Sequence, residues 1–352
     1  MTHLIKEIGV VRFRSLGLVL LILVIGTACG PTGWPGATPT VKIGLVAPFE
    51  GLYRPLGYEA LFAARLAINE RNAGEGLAGY RIELVALNDF NEAKAAEIQA
   101  KALVIDPDVL GVVGHLSTAS TLAALPTYRR ATLAVASPWP IGATAERRPG
   151  VVSLAPPLED TESDLETFAE GLGYENRAVI VSKENVPTDE ELQALELKLD
   201  GVMAGELMLE LEQMGNPLPV LGHIDVGSTQ LVQVAQSAAN GLMFASPAPA
   251  PTDVAGATDF IEAYKALAGF SPGPRAVLVY DATHVLLDAI EQAIRERGGR
   301  PTRSEIAAII TSVQRRGMTG PISFNEDGQR RAAQTWIYQI ERGQYPGLLL
   351  TD

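Results

Sequence analysis

The sequence holds a single cysteine, Cys29. No intrachain disulfide can form, and thiolate clusters for zinc or iron–sulfur are excluded. Histidine is also scarce: His3, His115, His223 and His284 are scattered without ligand-like spacing. Basic residues are in deficit, with 28 Lys and Arg against 41 Asp and Glu, a formal charge of −13. Such a body repels phosphate backbones, so nucleic acid is not an expected partner. The phosphate loops G-x-x-x-x-G-K-[ST] and G-x-G-x-x-G are missing, and no G-x-S-x-G elbow surrounds a serine. NDFNEA and FNEDGQ lack the later acidic ligands of a calcium loop. These absences argue against an enzyme, and no cofactor or metal is expected.

Long apolar runs are missing too. Leu16 to Ala28 is apolar for 13 residues, short of the roughly 20 that span a bilayer. Lys6, Arg12 and Arg14 precede it, the order of a positive n-region and an h-region. The run ends Ile25-Gly26-Thr27-Ala28-Cys29-Gly30. Small residues before a cysteine resemble the lipobox of bacterial lipoproteins, although Gly26 stands where a leucine is usual. The resemblance implies a signal peptide over residues 1–28 and a lipid on Cys29 that anchors the chain to a membrane. Residues 29–40, rich in Pro, Gly and Thr, read as a flexible tether.

From Val41 onward, strand and helix patterns alternate. Val41–Ala47, Arg81–Leu87, Val109–Gly114 and Leu133–Ala136 read as buried strands. Leu56–Arg71, Asn91–Ile105 and Thr118–Arg130 read as the helices between them. Farther on, Ala178–Val181 reads as a strand, Glu190–Leu199 as a helix and Gly201–Met203 as a very short strand. Pro219–Gly222 and Gly241–Ala245 are further strands. Ala257–Ala268, Ala276–Arg297 and Arg303–Arg316 read as helices, and Ile322–Phe324 and Gln334–Ile340 as strands. Repeated βα units predict an α/β fold with doubly wound parallel sheets.

Ligands of open α/β sheets sit beyond the carboxyl ends of the strands. The loops there are Ala47–Gly51, Asn88–Phe90, Gly114–Thr121 and Ala136–Pro140. Ser117, Thr118, Ser120 and Thr121 cluster at a helix start, where free N–H groups favour an anion. Helix capping is the plainer role for such hydroxyls.

In order and spacing, these segments resemble the periplasmic leucine/isoleucine/valine-binding protein family. The matching stretches are VKIGLVAPFEG, AINERNAG, IELVALNDFNEAKAAEIQAKALV, GVVGHLSTASTLAALP, LVYDATHVLLDAI and MTGPISFNEDGQRR. The resemblance implies a type I periplasmic binding fold, two lobes joined by three crossovers. Lobe one would comprise residues 41–155 and 251–318, and lobe two residues 156–250 and 319–352. It implies capture of an amino acid or related small carboxylate or amide, delivered to ABC permease subunits. A sensory protein of the same fold and a paralogue that binds nothing are the alternatives.

Carried over by residue, the resemblance places Thr118 on the ligand with Ser137 as a compatible neighbour; Ser117 of the hydroxyl loop and Trp139 of the loop after the fourth strand are further candidate ligand contacts. Phe49 or Tyr53 would replace a first-lobe aromatic that is Leu56 here. Asp225, within one residue of the family's lobe-two acid, would meet an ammonium group, its plainer role being to cap the helix starting near Gly227. Trp139 and Ile141 depart from the family pattern. Between Val181 and Gly201 the chain is short by about one βα unit, about 30 residues. An aromatic lid residue would be lost with it, leaving Val186-Pro187 nearby.

Overall fold

A computed structural model describes residues 38–142, 149–182, 186–187 and 191–351. Cys29 and the expected leader, residues 1–28, lie outside them. The first sheet has the order β2-β1-β3-β4-β5. Its strands are β1 (Thr40–Ala47), β2 (Arg81–Asn88), β3 (Val109–Gly114), β4 (Ala134–Ser137) and β5 (Val151–Ser153). All are parallel. Helices α1 (Arg54–Ala73), α2 (Ala93–Ile105) and α3 (Thr118–Arg130) connect the first four.

Side-chain alternation along a strand explains why both faces of this sheet are covered. Ile43 and Leu45 of β1 pack toward α1 on one face. Val46 of β1 and Val112 of β3 pack toward α2 and α3 on the other. The chain returns to this lobe with α7 (Thr258–Ala268), α8 (Pro274–Arg297) and α9 (Arg303–Ile309). Helix α8 completes the α1 face and is buried along most of its length.

The second sheet has the order β13-β12-β9-β8-β7-β6. It contains β6 (Arg177–Ile180), β7 (Ala194–Leu197), β8 (Val220–Gly222), β9 (Met243–Ser246), β12 (Trp336–Glu341) and β13 (Gln344–Leu349). The first four are parallel, and β12 and β13 are antiparallel. Helix α4 (Leu158–Gly171) covers one face, and α5 (Gly201–Met214) and α6 (Thr229–Ala235) the other.

Several local expectations are corrected. The expected helix at Glu190–Leu199 is strand β7 over Ala194–Leu197, and the expected strand at Gly201–Met203 opens α5. Asp200 decides the boundary: its carboxylate accepts from the amides of Val202 and Met203, at 2.8 and 3.0 Å, and starts the helix. The expected helix Arg303–Arg316 ends at Ile309, and Arg315 already belongs to β10 (Arg315–Gly317), which pairs with β11 (Gly320–Ile322). Strand β13 was not expected. The boundary at 318 also moves, because Ile322 and Phe324 join the first core and Ser153 bridges to Gln329.

The short stretch after β6 has a visible consequence. Strands β6 and β7 pair directly, with no helix between them among the described residues. In the first sheet, β1 is flanked by β2; the outer side of β6 has no such neighbour among the described residues. Val179 and Val181 there are 52% and 69% exposed.

Gly57 shows how closely α1 is seated. A Cβ on it would stand 1.9 Å from the Pro48 carbonyl oxygen. The Gly57→Ala variant is expected to lose about 1–3 kcal/mol through overpacking. Urea denaturation should show a lowered midpoint with an unchanged m-value.

Candidate functional site

The ends of the parallel strands in the two sheets face each other across a cleft. A cavity of about 400 Å³ lies there. The first lobe supplies Tyr53, Leu56, the loop after β3 and Arg275 at the start of α8. The second supplies the loops after β7 and β8, including Asp200, His223 and Asp225, and Glu162 of α4.

The loop after β3 is fixed from beneath. His115 is buried; its Nδ1 is 2.7 Å from Asp89 and its Nε2 3.1 Å from the Tyr128 hydroxyl. These contacts tie the ends of β2 and β3 to α3. Ser117 and Thr118 then line the cavity. The Thr118 hydroxyl proton is already engaged, whereas Ser117 is engaged as an acceptor only. Ser117 Oγ accepts from the Ser120 amide and caps α3. Thr118 Oγ1 donates to the Pro140 carbonyl at 2.8 Å. Thr121 Oγ1 donates to the Ser117 carbonyl.

The other expected first-lobe residues stand outside the cavity wall. Ser137 is fully buried and donates to the Trp139 carbonyl at 2.8 Å, closing a turn. Phe49 packs edge-on against Tyr58, and its amide donates to Asn88. Trp139 is buried behind the wall, with the Arg275 guanidinium 3.8 Å above its ring centroid. Ile141 is buried in the core under α3.

Asp225 does line the cavity. Its plainer role as a helix cap is filled by Ser228, which accepts from the Leu231 amide. The carboxyl of Asp225 is open to the cleft but walled by both lobes. Desolvation pushes its pKa up, opposed by Arg275 and by the Trp139 indole N–H directed toward it. That indole N–H completes no hydrogen bond. Asp225 has no ion pair among the described residues.

Two hydrogen bonds join the lobes at the cleft. The Tyr53 hydroxyl donates to Asp200 at 2.9 Å, and Gln230 donates to the Leu52 carbonyl at 3.3 Å. Burial, and then the bond to Asp200, push the Tyr53 phenol up to about 12. Deeper in lobe two, His223 Nε2 lies 2.7 Å from Glu196. Lys198 pairs with Glu162 at 2.8 Å.

Asp200, His223 and Arg275 escaped sequence reasoning. Asp200 lay inside a segment read with helix and strand reversed. Arg275 had a usable signal: a cation in the first turn of an apolar helix opposes the helix dipole. Val186 packs against the second core and does not line the cavity, and the second lobe contributes no aromatic to it.

A model of the family described as periplasmic binding protein matches residues 40–185 and 190–344. A leucine-, isoleucine-, valine-, threonine- and alanine-binding protein of Pseudomonas aeruginosa is 23% identical over 347 residues, 86% of this chain and 90% of the relative. The fold matches the substrate-binding protein LivJ of Streptococcus pneumoniae, solved with isoleucine, at a TM-score of 0.76 and 21% identity. That match covers 89% of this chain and 98% of the other. It also matches a solute-binding protein of R. palustris, solved with benzoate, at a TM-score of 0.74 and 16% identity, covering 88% and 95%.

Glu196 is held below the ordinary carboxylate range, foremost by its bond to His223. A depressed carboxyl stabilises the fold above its unfolded pKa, and the gain is lost as pH falls through the folded value. The stability advantage of wild type over Glu196→Gln should therefore be full above about pH 5 and shrink progressively as pH falls below the ordinary glutamate pKa of about 4.3. Denaturation midpoints of both proteins across that range check this.

Proposed function

Because the chain belongs to the periplasmic binding protein family, we propose that it captures an amino acid or a related small carboxylate between its lobes for an ABC importer. One observation carries this reading: a cavity walled by both lobes, into which the unpaired Asp225 carboxyl opens. A carboxylate that opens into the cleft with no cation paired to it among the described residues offers a ready partner to a ligand ammonium. Tyr53 and Gln230 bond across the cleft beside it. Closure over a ligand would draw on these contacts, so the ligand favours the closed arrangement by the difference in its affinity for the two states. The relatives bound to isoleucine and to benzoate frame the size of the solute. Transfer to permease subunits is part of the proposal.

Thermal denaturation of the purified chain with amino acids, amides, short peptides and aromatic acids tests this. A ligand at 100 times its Kd adds about 2.7 kcal/mol. The Asp225→Ala variant should weaken any amine-bearing hit on the order of tenfold to a hundredfold, the loss expected for a charge-assisted contact. A flat response from folded protein would overturn the capture reading.

Export and anchoring through Cys29 belong to the same proposal, supported by Lys6, Arg12 and Arg14 ahead of the apolar run. In bacterial cells, Cys29→Ser should move the protein from the membrane fraction to the soluble fraction or leave its leader uncleaved. Fractionation and the intact mass of the product would register either outcome; an unchanged lipidated product would refute the assignment.

A further inference from the structure

Arg275 is 4% exposed, yet it lines the cavity. No hydrogen bond or ion pair engages its guanidinium among the described residues, and Nε is enclosed without an acceptor. Nearby Glu59 acts on it through space only: its Oε1 accepts from the amides of Gly273 and Ala276, capping the start of α8, and takes no guanidinium N–H. Stacking on Trp139 at 3.8 Å holds one face of the guanidinium. A stacked guanidinium keeps its N–H edge for a planar oxyanion, the geometry that suits a carboxylate. An enclosed guanidinium N–H without an acceptor costs more than the stacking contact returns, so the N–H edge facing the cavity is suited to an incoming anion.

The Thr118 hydroxyl, expected to grip a ligand carboxylate, donates to Pro140 instead, which leaves Ser117, an acceptor at the helix cap, with the one hydroxyl proton still to give. Asp225, which faces the same cavity, forms no ion pair with Arg275.

We propose that Arg275, clamped on Trp139, is the carboxylate anchor of the cleft. It seats the acid group of a zwitterionic α-amino acid whose ammonium meets Asp225. This inference rests on the capture reading and assigns the ligand's acid group to α8 instead of the hydroxyl loop after β3.

The full chain and its Arg275→Gln and Arg275→Lys variants are titrated with acetate and acetamide at constant ionic strength. The amino acid that best stabilises wild type, and its carboxamide, are titrated in parallel. Wild type should prefer each acid to its amide on the order of tenfold to a hundredfold. Arg275→Gln should erase that preference, and Arg275→Lys should keep part of it, because the charge stays but the fork is lost. The unliganded Arg275→Gln protein should melt close to the wild-type temperature, because no hydrogen bond or ion-pair contact is lost and an enclosed N–H without an acceptor is removed. A clearly lower melting temperature would mark Arg275 as a structural cation and overturn the assignment. Equal binding of acid and amide, or undiminished acid binding by Arg275→Gln, would overturn the anchor while leaving capture intact. An Arg275-dependent acetate response without any amino acid response would keep the anchor and refute the amino-acid solute. No response to any probe would refute both.

Discussion

Asp200 joins three levels of the structure through one carboxylate. Oδ1 accepts two amides and starts α5, while Oδ2 accepts the Tyr53 hydroxyl from the other lobe. Helix N-termini carry unsatisfied donors and partial positive charge, so an acid is well placed there. The same acid is then directed along the cleft. The start of α5 and the approach of the lobes thus share one anchor.

Around that anchor, the cleft holds charge that is not neutralised internally. Arg275 stands in the first turn of α8 against the dipole, and Asp225 faces it without contact. Elsewhere in this protein partly buried acids and bases are paired, as in Glu196 with His223 and Arg177. Other buried charges, such as Glu59, Asp281 and Arg330, are met by backbone amides, hydroxyls or carbonyls, whereas Arg275 and Asp225 keep polar edges turned to a cavity, as binding sites commonly do. The pKa of Asp225 is pushed up by desolvation between the cleft walls, against the opposing pull of Arg275.

The second lobe is a reduced version of the first. Strand β6 pairs directly with β7, and Val179 within it and Val181 just beyond it are exposed. The cleft wall is still complete enough to enclose a cavity, because its contributing loops follow β7 and β8 rather than β6. Shortening at the sheet margin leaves those loops in place. The aromatic side chain at the cleft comes from the first lobe, as Tyr53.

Much of the fold was legible because parallel strands buried on both faces announce themselves as apolar runs, such as Val109–Gly114. Local signals were weaker where burial and charge conflict. Ala194–Leu197 is only four residues long and carries Glu196, so its pattern does not separate strand from helix. Asp225 could be placed at the cleft because a strand end and a glycine bracket it. The commitments of Ser117, Thr118 and Ser137 could not be read, because hydroxyl direction depends on which carbonyl or amide the fold brings near. Sequence by itself determined the leader pattern, the acidic body, the alternating α/β architecture and the shortened second half, all properties of local composition and spacing. Only the tertiary structure brought Arg275 onto Trp139 and opposite Asp225, across 136 and 50 positions of chain, because contacts between distant segments depend on how the two lobes pack.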